Sequence, residues 1–132
     1  MTGAWTLHAD GASRGNPGRA AIGAVLVSPD GDRHEISQAI GTTTNNVAEY
    51  RALIAGLELA RDLGARPLEV RMDSELVLRQ VEGRYKVKQP HLQPLHASAA
   101  ALVRELGARL AHVRRADNAD ADALANAALD AR

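Results

Sequence analysis

Four acidic residues stand where the chain passes from one local pattern to another: Asp10, Glu49, Asp73 and Asp122. Asp10 closes a run in which Trp5, Leu7 and Ala9 alternate with Thr6, His8 and Asp10, the period of a strand. Glu49 falls in the first turn of an amphipathic helix, Asp73 ends the strand-like run PLEVRM, and Asp122 lies in the first turn of the last helix. If the first and fourth strands are parallel neighbours, Asp10 and Asp73 emerge side by side at one sheet edge. Carboxylates gathered in this way raise one another's pKa unless positive charge neutralises them, and divalent cations with oxygen ligands do so. Each acid alone has a plainer explanation. Asp73 could cap a helix, and Glu49 and Asp122 could answer the positive end of a helix dipole. Capping accounts poorly for four acids at four element ends. Asp120 could cap the final helix, but Asp122 leaves the apolar face of Ala121, Leu124, Ala125 and Ala128 intact.

The elements that must position these acids follow from periodicity. Residues 5–10 read as a strand, GASRGNPGR as a turn, 20–28 as a second strand and 33–40 as a third, with Pro29-Asp30-Gly31 between the last two. Tyr50, Leu53, Ile54 and Leu57 recur at i, i+3, i+4 and i+7, so 46–63 reads as a helix, started by Asn45 or Thr44 and closed by Gly64. Residues 67–72 make a fourth strand, and a short helix runs from Ser74 to near Gly83. Leu95, Ala99, Leu102, Val103 and Leu106 mark a further helix stopped by Gly107, 109–113 a fifth strand, and a last helix follows. The order β-β-β-α-β-α-α-β-α implies an α/β fold, a mixed sheet covered by helices, in a single domain over residues 1–132.

Composition narrows the remaining choices. There is no cysteine, which excludes disulfides and thiolate metal sites. Sixteen basic and sixteen acidic residues cancel, so the molecule as a whole offers no attracting field to nucleic acid. The distribution says more than the sum. The only two lysines, Lys86 and Lys88, lie beside Arg84, and no acid occurs from Gly83 to Val103. That stretch is where phosphate contacts should be sought, although a solvated basic turn would look the same. No stretch approaches membrane-spanning length and no basic region precedes an apolar run, so a cytoplasmic protein is expected.

At this point the chain resembles the type 1 ribonuclease H family along nearly its whole length. DGASRGNPG at 10–18 resembles the first motif of that family, TTNNVAEYRALIAGLELA at 43–60 the second, MDSELVLRQV at 72–81 the third, and RRADNADADALANAALD at 114–130 the fourth. Any one of them would be weak. All four, in order and suitably spaced, are strong. The resemblance implies a ribonuclease H-like fold, with a five-stranded sheet of three antiparallel and two parallel strands. It implies that Asp10, Glu49, Asp73 and Asp122 bind two Mg²⁺ ions, with Mn²⁺ as a substitute. The reaction would be endonucleolytic hydrolysis of the RNA strand of RNA–DNA hybrids, leaving 5′-phosphate and 3′-hydroxyl ends. Gly11, Asn16, Asn45 and Asn46 are implied readers of the 2′-hydroxyl, since amides both donate and accept, and Thr43 and Thr44 are implied phosphate contacts.

The chain also departs from many bacterial members. The region 82–94 is short, so a basic extension is absent and hybrid affinity would rest on Arg79, Arg84, Lys86 and Lys88, with Tyr85 able to stack or to pack. No histidine lies between Arg114 and Asp122. Arg115 resembles the basic residue used instead in the archaeal and actinobacterial branch, where it would contact the scissile phosphate or the departing product. His112 is expected to be structural, and the other histidines receive no role. Some actinobacterial relatives fuse this domain to a phosphatase-like one, which leaves open whether the chain is whole or one part of a longer protein. A monomer is expected. The alternatives to a hybrid-specific nuclease are a non-catalytic hybrid-binding module and a nuclease that also cuts duplex RNA.

Overall fold

The alternation that begins at Trp5 runs much further than the glycine-rich composition after Asp10 suggests. In the computed structural model, which describes residues 3–131, β1 spans Trp5–Gly15 and β2 spans Gly18–Val27. They pair antiparallel from Thr6↔Val27 out to Gly15↔Gly18, so only Asn16 and Pro17 turn. The expectation that GASRGNPGR turns throughout, and that Asp10 ends its strand, is therefore corrected. Residues 11–15 pair in full register with 18–22, and glycine content alone misread a long ribbon as a loop.

β3 (Arg33–Thr43) returns antiparallel to β2, three residues longer than the periodicity implies. α1 (Asn45–Asp62) follows, capped by the Thr44 hydroxyl, which accepts from the Val47 N–H at 3.3 Å. Thr44 rather than Asn45 is thus the cap. β4 (Leu68–Met72) pairs parallel with β1, and α2 (Glu75–Val81) starts on Ser74, whose hydroxyl accepts from Val77; Asp73 does not cap it. α3 (Gln93–Leu106) ends at Gly107, whose φ of 59° is left-handed. β5 (Arg109–His112) lies parallel to β4 at the sheet edge. The single turn Arg115–Asn118 is a 3-10 helix that periodicity does not reveal, and it leads into α4 (Ala119–Asp130). The sheet order is β3-β2-β1-β4-β5, a mixed sheet of the expected kind.

Two glycines bring the helices down onto this sheet. A Cβ on Gly11 would lie 2.2 Å from the Ala48 carbonyl carbon, so the backbone of α1 presses directly on β1. A Cβ on Gly23 would lie 2.1 Å from the Ala121 carbonyl oxygen, so α4 is equally close to β2. Successive strand residues face opposite sides, and Gly23 pairs with Asp10 rather than Gly11, so α1 and α4 cover opposite faces. The core between α1 and the sheet is aliphatic, with Leu7, Leu26, Leu53, Leu57 and Val70 inaccessible to solvent and Tyr50 the largest side chain within it. Trp5 is partly buried against it and stacks on His34. No helix among the described residues is long and apolar enough to cross a membrane.

Gly11→Ala is expected to destabilise the protein by about 2–3 kcal/mol, because the added methyl meets backbone rather than a side chain that can swing away. Urea unfolding checks this, and an unchanged midpoint would mean that α1 does not rest on β1 as described.

Candidate active site

β4 accompanies β1 only from Trp5↔Leu68 to His8↔Arg71. Beyond that point β4 turns into α2 while β1 continues with β2, and the gap between them opens a cleft of about 370 Å³. Asp10, Glu49, Asp73 and Asp122 all line it, together with Gly11, Asn45, Arg115 and Asn126. Asp10 faces it from mid-strand, two residues past the last β4 pair. Glu49 is the fifth residue of α1 and not in its first turn, so its place is set by the contact at Gly11 and not by the helix dipole. Asp73 lies just past the end of β4, and Asp122 is in the first turn of α4, as read from the sequence.

Crowding and burial act on these acids together. Asp10 is pushed up to about 8, first by burial, then by the charge of Asp73, and then by a hydrogen bond with Asp122 and the charges of Asp122 and Glu49. Glu49 is pushed up to about 7 by burial, with the Ser74 hydroxyl pulling the other way and Asp73 adding repulsion. No three histidine, aspartate or glutamate side chains among the described residues form a ready-made metal cage. The donor set is all oxygen and anionic, and divalent charge would relieve the repulsion that lifts Asp10.

Two amides that periodicity does not single out hold the carboxylates. Asn118, at the end of the 3-10 turn, is buried, and its Nδ2 donates to the Ala9 carbonyl at 3.0 Å and to Asp73 Oδ1 at 2.8 Å. It bridges the diverging ends of β1 and β4. It also occupies the cap position of α4, while Asp120 lies inside the first turn and pairs with Arg33 at 3.2 Å. Asn126 Nδ2 donates to the Asp122 carbonyl and to its Oδ1 at 3.2 Å, a contact that the i, i+4 spacing makes available in the sequence.

The other expected residues divide. Asn16 does not line the cleft, but its Oδ1 accepts from the Asn45 N–H at 3.1 Å and so fixes that residue's place. Thr44 is occupied as a cap, and Thr43 is the half-buried last residue of β3. Asn46, Lys86 and Lys88 border a separate pocket of about 210 Å³, and Arg84 lines neither cavity. Arg79 is engaged by Glu75 at 3.5 Å and Glu82 at 2.9 Å, so it is not a free phosphate contact; acids at i−4 and i+3 neutralise it. Tyr85 is exposed, and so is His112, whose expected structural role is not supported.

A family model described as reverse transcriptase-like matches residues 8–128. The N-terminal RNase H domain of Rv2228c from Mycobacterium tuberculosis, solved as a fusion with maltose-binding protein, is 50% identical with a TM-score of 0.91, over 97% of this chain and 100% of that one. The chain belongs to the type 1 ribonuclease H family. Ribonuclease HI of Halobacterium salinarum is 50% identical over 128 residues, 94% of this chain and 64% of that protein. LC11-RNase H1, whose structure was solved in complex with an RNA/DNA hybrid, is 45% identical with a TM-score of 0.88, over 96% of each chain. The complete Rv2228c, named a bifunctional protein, is 52% identical over 129 residues, and this ribonuclease H chain spans only 35% of its length.

The raised acids set a pH dependence. Asp10 and Glu49 hold protons more tightly folded than unfolded, so their contribution is full below the ordinary carboxylate range and is lost as pH climbs through about 7 and about 8. In EDTA the melting temperature is expected to fall between pH 5.5 and 8.5, and Asp10→Asn to flatten that fall. A metal-free protein equally stable across the window would contradict the crowding.

Proposed function

We propose that this chain is a divalent-metal-dependent endonuclease that hydrolyses the RNA strand of RNA–DNA hybrids, leaving 5′-phosphate and 3′-hydroxyl ends. The observation that carries the reading is the cleft itself. Four carboxylates, two from β1 and the end of β4 and one from a helix on each face of the sheet, line it with Arg115 and Asn45, and no cap or ion pair among the described residues accounts for that meeting. When bound, a pair of Mg²⁺ ions, with Mn²⁺ as a substitute, would supply acidity to the attacking water and positive charge to the leaving oxygen. Asp10, Glu49, Asp73 and Asp122 would hold them.

The chain's own residues do the rest. Asn118 and Asn126 hold Asp73 and Asp122 in fixed rotamers, so the acids need little reordering when substrate arrives. Asn45, set by Asn16, and the backbone of Gly11 line the cleft where a ribose would sit, and they read its 2′-hydroxyl. Arg115 lines the same cleft and brings a permanent positive charge to the scissile phosphate or the departing end. The adjacent asparagines that begin α1 open onto two cavities, Asn45 onto the carboxylates and Asn46 onto the pocket rimmed by Lys86 and Lys88. A duplex lying across the start of α1 would place one strand at each. LC11-RNase H1, solved with a hybrid, supports this substrate class. A purely binding module would have no need of all four acids, and all four are present.

The test is cleavage of a labelled RNA–DNA hybrid with and without Mg²⁺, beside duplex DNA, duplex RNA and single-stranded RNA. Metal-dependent cuts are expected in the hybrid's RNA strand alone, with Asp73→Asn slower by about 100-fold or more. Arg115→Ala is expected to lower kcat by about tenfold or more with a smaller effect on KM. Full turnover of the arginine variant at saturating hybrid would remove its role. Binding without cleavage in either metal would overturn the enzymatic reading, and cuts in duplex RNA would widen the substrate class.

A further inference from the structure

The second pocket is built around a loop that has no regular structure of its own. Residues 84–92 contain neither helix nor strand, yet they carry the only two lysines of the chain. An exposed irregular segment must ordinarily be ordered when its side chains engage a ligand, and that ordering opposes binding. Here two side-chain amides grip consecutive carbonyls of the loop. Gln80 Nε2, from α2, donates to the Lys86 carbonyl at 3.5 Å, a long bond, and Gln93 Nε2, from the start of α3, donates to the Val87 carbonyl at 3.2 Å. Val87 is half-buried against the core while its two neighbours are exposed, so both lysines flank one inward anchor.

Gln80 is itself fixed. Its side chain is buried, and its Oε1 accepts from the Tyr50 hydroxyl at 2.6 Å. Tyr50, in α1, is fully buried, so its hydroxyl is committed to Gln80. With the amide oxygen committed to Tyr50, only the NH₂ end can face the loop. The Gln80 main-chain carbonyl lies 2.8 Å from His96 Nε2 on α3. Gln80, held by α1 through its side chain and by α3 through its main chain, therefore reaches the lysine loop; it lines the same pocket, and its side-chain amide is already committed to Tyr50 and the Lys86 carbonyl.

We propose that Gln80 and Gln93 are positioning residues that preset Lys86 and Lys88 for the backbone phosphates of a bound hybrid, with Tyr50 fixing the orientation of the Gln80 amide. This rests on the hybrid reading above. It assigns to two neutral side chains the ordering that a regular element would otherwise give a basic segment.

The test is steady-state cleavage of a labelled hybrid by Gln80→Met, Gln93→Met and the Lys86→Ala/Lys88→Ala pair, alone and combined, with melting temperatures alongside. Gln93 is exposed, so its variant folds even if the buried Gln80→Met does not. Each glutamine variant is expected to raise KM by about threefold to tenfold while kcat changes less than about twofold, the signature of lost binding and intact chemistry. The lysine variant is expected to make KM less steep in salt by about two phosphate contacts. In that lysine-free background Gln93→Met should raise KM no further, since positioning residues with nothing to position have no effect. A Gln93→Met protein with wild-type KM, or glutamine and lysine effects that simply multiply, overturns the proposal while leaving the hybrid reading in place. Wild-type protein that neither cuts nor binds hybrids removes both.

Discussion

The repulsion among four carboxylates at the point where β1 and β4 separate is the constraint on which the rest of this structure depends. Burial and neighbouring charge lift Asp10 to about 8 and Glu49 to about 7, so the site opposes its own ionisation. A fold built for stability alone would separate these acids or pair them with arginine. Here two arginines line the cleft; Arg14 pairs with Asp130, and Arg115 makes no ion pair with the four acids among the described residues. The unsatisfied negative charge is the feature that a divalent cation and a phosphate would complete.

The architecture around the cleft serves to hold that unfavourable cluster together. Helices on opposite faces must deliver Glu49 and Asp122 to one strand edge, and both deliveries need a missing side chain. Gly11 lets α1 approach β1, and Gly23 lets α4 approach β2 on the other face. Asn118 then ties the parting strands, donating at once to Ala9 and Asp73. Its own Oδ1 is buried without a protein partner among the described residues. The precision of the site thus comes from backbone contact and short amide bonds, and not from ion pairs, which here lie at the exposed rim, as Arg14–Asp130 and Arg33–Asp120 do.

Much of this was legible in the chain because the relevant signals are local. The i, i+3, i+4 face of α1 and the change from antiparallel hairpins to helical connections are readable within short windows, and so are Asp73 past the end of β4 and Asp122 in the first turn of α4; Asp10 and Glu49 line the same cleft from mid-strand and from beyond the first turn of α1. What was not legible depends on distant partners or on composition that points both ways. Glycine and asparagine at 11–16 suggest a loop until the strand at 18–22 is seen to pair with 11–15. Asn118 sits on a single 3-10 turn, too short to show a period. Gln80 gains its meaning from Tyr50, thirty residues away in sequence. Arg79 is the opposite case. Its acids at positions 75 and 82 stand at helical spacing in the sequence, and they withdraw it from the basic surface.

Titration of the Asp10 carboxyl by ¹³C NMR, in EDTA and then with Mg²⁺, tests the central claim most directly, because it reads the crowding at the atom where it is greatest. The metal-free resonance should titrate near pH 8 and should move down into the ordinary carboxylate range or below once Mg²⁺ is present. An Asp10 carboxyl that titrates near 4 without metal, and does not respond to Mg²⁺, would contradict the account at its base.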